Sequence, residues 1–273
     1  MKQMNLEEIK RVELKMLIAF DKFCYDHQIK YSLGAGTLIG AIRHRGYIPW
    51  DDDIDIFMMR NEYDQFIKLI KQGEKISNYK VHLPDDSESI YPFIKITDTS
   101  TIVFAQNRRK KYSIGVWLDI FPVDCCGNSE EEVLKNVNFF QVNMIKLERS
   151  TMHYTEKSFV NRIKNVYLFF VQNILGYHYW KFKNRILQYT LPEHGKYYGT
   201  IRWPYYKGNG MCDVYPKEFF DGYTSATFEG YDFMIFQHYD EILTHRYGDY
   251  MKLPDEKDRV CHGMEAYWIK DEI

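Results

Sequence analysis

Apolar residues near the start of the chain recur at helical spacing. Ile9, Val12, Met16, Leu17, Phe20, Phe23 and Cys24 fall on one face. Asn5, three residues before Glu8, supplies a capping-box start, so the pattern predicts an amphipathic helix over residues 5–27. The period then shortens. A strand is expected near Lys30 to Leu33, followed by the turn Gly34-Ala35-Gly36-Thr37 and a short helix over 37–45 stopped by Gly46 and Pro49. Ile54 to Met59 alternates as a strand, and Asn61 to Lys71 has helical spacing. Further strands are expected at 79–83, 93–97, 101–105 and 115–121. The first 125 residues thus predict a mixed sheet of about five strands with flanking helices, an α/β (α+β) fold.

The texture changes after Gly127. Residues 129–150 and 158–189 predict helices rich in Phe, Tyr, Asn and Lys. A loop-rich stretch with Pro192, Pro204, Gly208, Gly210 and Pro216 follows. Ala226 to Phe236, broken at Glu229-Gly230, predicts a hairpin, and His238 to Arg246 a helix. The organisation expected is a sheet-containing core over 1–127, a helical lobe over 128–200, and a C-terminal hairpin and helix over 201–273 packing back on the core.

Charge and composition narrow the function. The 273 residues carry 36 Lys+Arg against 38 Asp+Glu, a formal net charge of -2. Such a balance argues against a protein built to bind nucleic acid. No apolar run reaches the 18 or so residues of a membrane span, and MKQMNLEEIK does not have the pattern of a signal peptide. The five Cys follow no framework spacing, and reduced thiols in the cytoplasm are expected. Cys212, Cys261 and His262 form a weak zinc alternative.

The most informative segment is Trp50-Asp51-Asp52-Asp53-Ile54-Asp55-Ile56. Asp is depleted in strands, and neighbouring carboxylates repel. Alternation puts Asp51, Asp53 and Asp55 on one face and Ile54 and Ile56 on the other. A carboxylate row beside apolar residues calls for a compensating cation. Mg²⁺ (or Mn²⁺) suits it, because it binds through one or two carboxylates and keeps places for substrate phosphates. Just upstream, Gly34, Gly36 and Thr37 form a turn whose backbone N–H groups could approach a phosphate. Asp119 interrupts the apolar run 115–121 and offers a third carboxylate. Asp124, after Pro122, reads as a turn residue. Arg43 and Arg45, and Lys95 on a later strand, are candidate phosphate contacts. There is no Walker loop and no nucleophilic triad, so the nucleophile belongs to the substrate.

Two segments, Leu33-Gly-Ala-Gly-Thr-Leu-Ile-Gly40 through Arg43, and Gly46-Tyr-Ile-Pro-Trp-Asp-Asp-Asp-Ile-Asp55, closely resemble the LicD family. So do Trp117-Leu-Asp-Ile-Phe-Pro-Val-Asp124 and the tail Arg246-Tyr-Gly-Asp-Tyr-Met-Lys-Leu-Pro254 with Arg259 and His262. The resemblance covers 5–125 and 210–265, the central helices matching only in character. It implies a nucleotidyltransferase-like fold that transfers phosphocholine from CDP-choline to sugars of teichoic acid or lipopolysaccharide. Fukutin-type transferases are distant relatives. By position it makes Asp53 and Asp55 the metal pair, with Asp119 third and Asp51 beside them. Ala35 departs from the Gly-Gly or Gly-Ser usual in nucleotidyltransferases.

The expectation is therefore a metal-dependent phosphotransferase with a CDP-linked donor and a glycan acceptor, lipid-linked in many relatives of this kind. Alternatives are a nucleotidyltransferase releasing pyrophosphate, a nucleotide-sugar glycosyltransferase, and a binding module without turnover. Residues 157–192 hold no Asp or Glu but six cations, Lys157, Arg162, Lys164, Lys181, Lys183 and Arg185, around Phe, Tyr and Trp. That is the composition of an interfacial helix, so peripheral contact with a membrane is expected as well.

Overall fold

The structure is a computed structural model, and it describes residues 1–105, 107–154, 158–203, 211–259 and 264–269. Its main sheet runs in the order β2 (Ser32–Leu33), β3 (Asp55–Met59), β7 (Trp117–Gly127), β5 (Ile94–Thr97) and β4 (Lys80–His82). β3 and β7 are parallel and the other pairs antiparallel. The far half of β7 also pairs β8 (Tyr197–Gly199), which pairs β9 (Val214–Pro216). A small second sheet joins β1 (Lys2–Gln3), β12 (Glu265–Trp268) and β6 (Thr101–Phe104). A hairpin of β10 (Tyr223–Phe228) and β11 (Tyr231–Phe236) completes the strands. The fold is mixed α/β, as the alternating patterns predicted.

The strand expected at 101–105 leaves the main sheet. Asp98 ends β5 by accepting from the Ser100 N–H at 2.8 Å, and after that turn β6 pairs β12. The strand through 115–121 does not stop at Pro122 but continues to Gly127. The Asp119 N–H points to β3, donating to Ile54 O at 3.0 Å. By alternation the missing N–H of Pro122 falls on the opposite side, past the end of β5 and before the start of β8, where no ladder bond is lost.

Helix α1 (Leu6–Asp26) forms as its pattern predicts, with both halves of the Asn5–Glu8 capping box present. It buries Ile9, Val12, Met16, Leu17, Phe20 and Phe23 in the core beneath the sheet. A core side chain of this kind contributes roughly 2 kcal/mol on burial. Lys10, also buried, donates to Ile48 O at 3.2 Å and Pro49 O at 3.1 Å. The helix thereby fixes the turn that leads into the acidic segment. The short helix at 37–45 begins two residues earlier than expected. It is α2 (Ala35–Ile39), widening into one turn of π-helix over Gly40–His44 and ending at Arg45 in a left-handed conformation. α3 (Arg60–Lys71) packs on the sheet after β3.

In the lobe, α4 (Glu130–Thr151) places Val133, Val137, Phe140, Met144 and Leu147 against Phe182 and Ile186. The helix expected over 158–189 is two helices, α5 (Phe159–Asn173) and α6 (Tyr179–Gln188). Gly176, at φ 64, turns the chain between them. α7 (Tyr239–Tyr247) follows the hairpin.

Asp124 is the tie between lobe and sheet rather than a turn residue. Buried on β7, it accepts a bidentate pair from Arg60 of α3, at 2.7 and 2.9 Å, and a third bond from Arg202 at 2.8 Å. Arg202 also donates to Ile186 O at the end of α6. Removing a buried partner strands the other charges, at a cost of about 3 kcal/mol. Asp124→Ala is therefore expected to lower the free energy of unfolding by that amount, read from a lowered midpoint in a urea titration. Loss below about 0.5 kcal/mol in the same titration would show that the cluster carries no net stability.

Candidate functional site

The acidic segment keeps the alternation its sequence announces. Asp51, Asp53 and Asp55 are partly exposed, while Asp52, Ile54 and Ile56 are buried. The Asp52 carboxylate turns inward and accepts from the Met264 N–H at 3.1 Å. The glycine turn grips the other end. Gly34 N–H donates to Asp55 O at 2.9 Å, and the Asp55 N–H donates to the Thr37 hydroxyl at 2.9 Å. Thr37 is buried, so its hydroxyl positions Asp55. Gly36 lies against the Asp51 carboxylate, and a Cβ there would fall 2.7 Å from Oδ2. Ala35, the departure from the usual glycine, has φ 42 in the left-handed region that favours glycine.

Register brings the third carboxylate and a lysine to the same row. Asp55 on β3 stands opposite Asp119 on β7, and Asp119 opposite Lys95 on β5. Asp119 and Lys95 are both buried, and the ammonium meets Asp119 Oδ1 at 2.5 Å. Trp117 and Tyr91 flank that ammonium, with ring centroids 4.1 and 4.4 Å away. Lys95 is thus a buried partner of the site.

Burial pushes the Asp55 carboxyl well above its ordinary value. The charges of Asp53, Asp119 and Asp51 push the same way, and Arg246 opposes them. Burial also raises Asp119 against the pull of Lys95. Arg246, on α7, forms an ion pair with Asp213 and brings positive charge towards Asp55. Nothing in the spacing of residues 239–247 marked it; only the likeness of the tail to a family did.

Not all sequence candidates meet at this row. Arg43 donates to Tyr250 O at 2.6 Å and Lys252 O at 3.3 Å, tying the C-terminal segment down. Arg45 is exposed, and its carbonyl accepts from the Glu229 N–H at 2.9 Å. Of the zinc alternative, Cys212 is described as a free thiol, while Cys261 and His262 lie outside the described residues. Among the described residues no three His, Cys, Asp or Glu side chains already close around one point. Asp51, Asp53 and Asp55 nevertheless suit a hard divalent cation. They are oxygen donors under mutual repulsion, and magnesium needs only one or two of them besides water and phosphate.

The family model described as LicD/FKTN/FKRP, nucleotidyltransferase domain, matches residues 28–157. The lipopolysaccharide cholinephosphotransferase LicD of Haemophilus influenzae is 34% identical over 275 aligned residues, 98% of this chain and 100% of the relative. The chain belongs to the LicD family. Two uncharacterized proteins of Rickettsia are similar over shorter spans. The one from Rickettsia typhi is 24% identical across 54% of this chain and 48% of its own length. The one from Rickettsia prowazekii is 29% identical across 43% of each. The 28–157 match of the LicD family model contains the glycine turn, the acidic segment, Lys95 and Asp119.

One group behind the row was not singled out in the sequence. Glu13 of α1 is fully buried, and among the described residues neither of its oxygens has a hydrogen-bond donor. The neighbouring Tyr47 hydroxyl is given to Lys10 O at 2.9 Å. Burial, then the charges of Asp53, Asp52 and Asp51, push its carboxyl well above the ordinary range. A raised folded value means that its contribution favours the fold at low pH and is lost as pH rises. Metal-free protein should therefore lose stability from about pH 4 upwards on account of Glu13. Glu13→Gln should remove that part of the slope in urea titrations across pH. Parallel profiles for the two proteins would contradict it.

Proposed function

We propose that this chain is a transferase that moves phosphocholine from a CDP-linked donor, CDP-choline, to a sugar hydroxyl of a cell-surface glycan. The observation that carries the reading is the row Asp55–Asp119–Lys95 beneath the glycine turn, in a chain collinear over its length with a cholinephosphotransferase of lipopolysaccharide. Teichoic acid is the other acceptor class this reading admits.

In the reaction the acceptor oxygen forms a bond to the phosphorus distal to the nucleoside. The bond from that phosphorus to the bridging oxygen breaks, and CMP leaves with the electron pair. Positioning and charge neutralisation do most of this work, since the nucleophile is the substrate's own hydroxyl. Asp53 and Asp55, with Asp119 as a third, are the residues to hold Mg²⁺ or Mn²⁺. Such an ion would supply charge neutralisation on the donor phosphates. Asp51, partly exposed, or Asp119, whose basicity burial raises, takes the proton from the acceptor hydroxyl. Lys95 keeps Asp119 oriented and adds positive charge beneath the phosphates. Gly34, Gly36 and Thr37 hold Asp51 and Asp55 in place, and Arg43 and Arg45 stand at the end of the same turn-helix unit.

A donor screen tests the reading. CDP-choline, CDP-ethanolamine, CDP-glycerol, CDP-ribitol and UDP-sugars are offered with a glycan acceptor, and the released nucleotide is identified. Magnesium-dependent CMP release from CDP-choline is expected. Asp53→Asn and Asp55→Asn should each reduce turnover by roughly a thousandfold or more with the fold intact. Near-normal turnover of either variant would overturn the metal assignment. Pyrophosphate formed from CTP and phosphocholine, with no acceptor modified, would make the protein a nucleotidyltransferase.

A further inference from the structure

Helix α5 carries nine apolar or aromatic side chains among its 15 residues, yet it buries only Leu168, Val171 and Gln172. Of the nineteen large hydrophobic residues that stand exposed among the described residues, ten lie between 159 and 180. Phe159, Ile163, Val166, Phe169, Phe170 and Trp180 are each between 48% and 76% exposed. A monomeric soluble protein rarely leaves so continuous an apolar face uncovered. The helix has 15 residues, about 22 Å, which is short of the roughly 30 Å hydrocarbon core of a bilayer. No helix among the described residues is long and apolar enough to cross a membrane.

Charge decides what covers this face. From 158 to 192 the chain has no Asp or Glu. Arg162, Lys164, Lys181 and Arg185 are exposed around the apolar stripe. Lys183 is not among them: it is buried and donates to Asp86 O and Ser89 O at 2.6 Å each. Lys157 lies outside the described residues. Beside α5 opens a groove of about 650 Å³ that Arg109, His153 and Arg162 share with Val166 and Phe169. Cations and apolar side chains therefore alternate along one surface. An isologous pair of copies would set these cations against each other with no carboxylate on the stretch to offset them. An anionic lipid surface satisfies both features, the cations at the headgroups and the aromatic and aliphatic side chains at the acyl boundary.

We propose that α5 and the start of α6 form a docking face on which the protein lies against a bilayer of anionic phospholipid, with α5 parallel to the surface. The proposal is independent of the transfer reaction, because binding is read without turnover. The test is co-sedimentation of the full chain with vesicles of phosphatidylcholine alone or with phosphatidylglycerol, at low and high salt. Binding is expected only to the anionic vesicles, weakening as salt rises. Two variants separate the contributions: Phe169→Glu with Phe170→Glu, and Arg162→Glu with Lys164→Glu, Lys181→Glu and Arg185→Glu. All six positions are exposed, so circular dichroism should be unchanged, and each variant should bind at least about tenfold more weakly. No binding by the wild type at low salt would overturn the proposal. So would a wild-type dimer in sedimentation velocity that Phe169→Glu with Phe170→Glu dissolves, which would assign the face to a second copy.

Discussion

Repulsion among carboxylates is the constraint around which this molecule is arranged. Asp51, Asp53, Asp55 and Asp119 face one region, with Asp52 and Glu13 directly behind. The surroundings act to tolerate them. The register of β3, β7 and β5 sets Lys95 against Asp119, and α7 brings Arg246 towards Asp55. Asp52 turns to a backbone N–H, and Glu13 is held where its neutral form is favoured. These arrangements leave Asp51, Asp53 and Asp55 on the accessible side. A cluster of this kind is electrostatically poor without a cation and much improved with one.

The two halves of the chain answer opposite charge problems. The sheet side concentrates negative charge and is closed by precise backbone bonds, such as Gly34 to Asp55 and Asp55 to Thr37. The outer face of the lobe concentrates positive charge and is left open. Asp124 connects them through Arg60 and Arg202, and Lys183 adds a second tie through its bonds to the carbonyls of Asp86 and Ser89.

Local chemistry made much of this legible in the sequence. The capping box and 3.6-residue period of α1, and the alternating burial of residues 51–56, are readable because they depend on near neighbours. Pairing across long separations was not. Whether Lys95 meets Asp119 depends on the register of two strands, and one residue of slip would send them to opposite faces. Pro122 looked like a strand end because only the flanking strands reveal that its absent N–H is not needed there. The strand 101–104 has a good local pattern, but its partner β12 comes more than 160 residues later. Arg43 resembles a phosphate contact from its place after a short helix, yet its guanidinium meets carbonyls at 250 and 252. Glu13 was invisible because a glutamate on an amphipathic helix is normally solvated.

The bond from Met264 N–H to Asp52 joins residues 212 positions apart. During synthesis the acidic segment emerges early, and Asp52 meets that donor only after some 212 further residues have been made. Closing so long a loop is slow and entropically costly, so it follows the local elements. The nascent protein therefore passes through a stage in which sheet and glycine turn exist but the Met264 N–H has not yet reached Asp52. The surroundings of Asp52 are therefore completed only after the segment around Met264 has been made and has folded back.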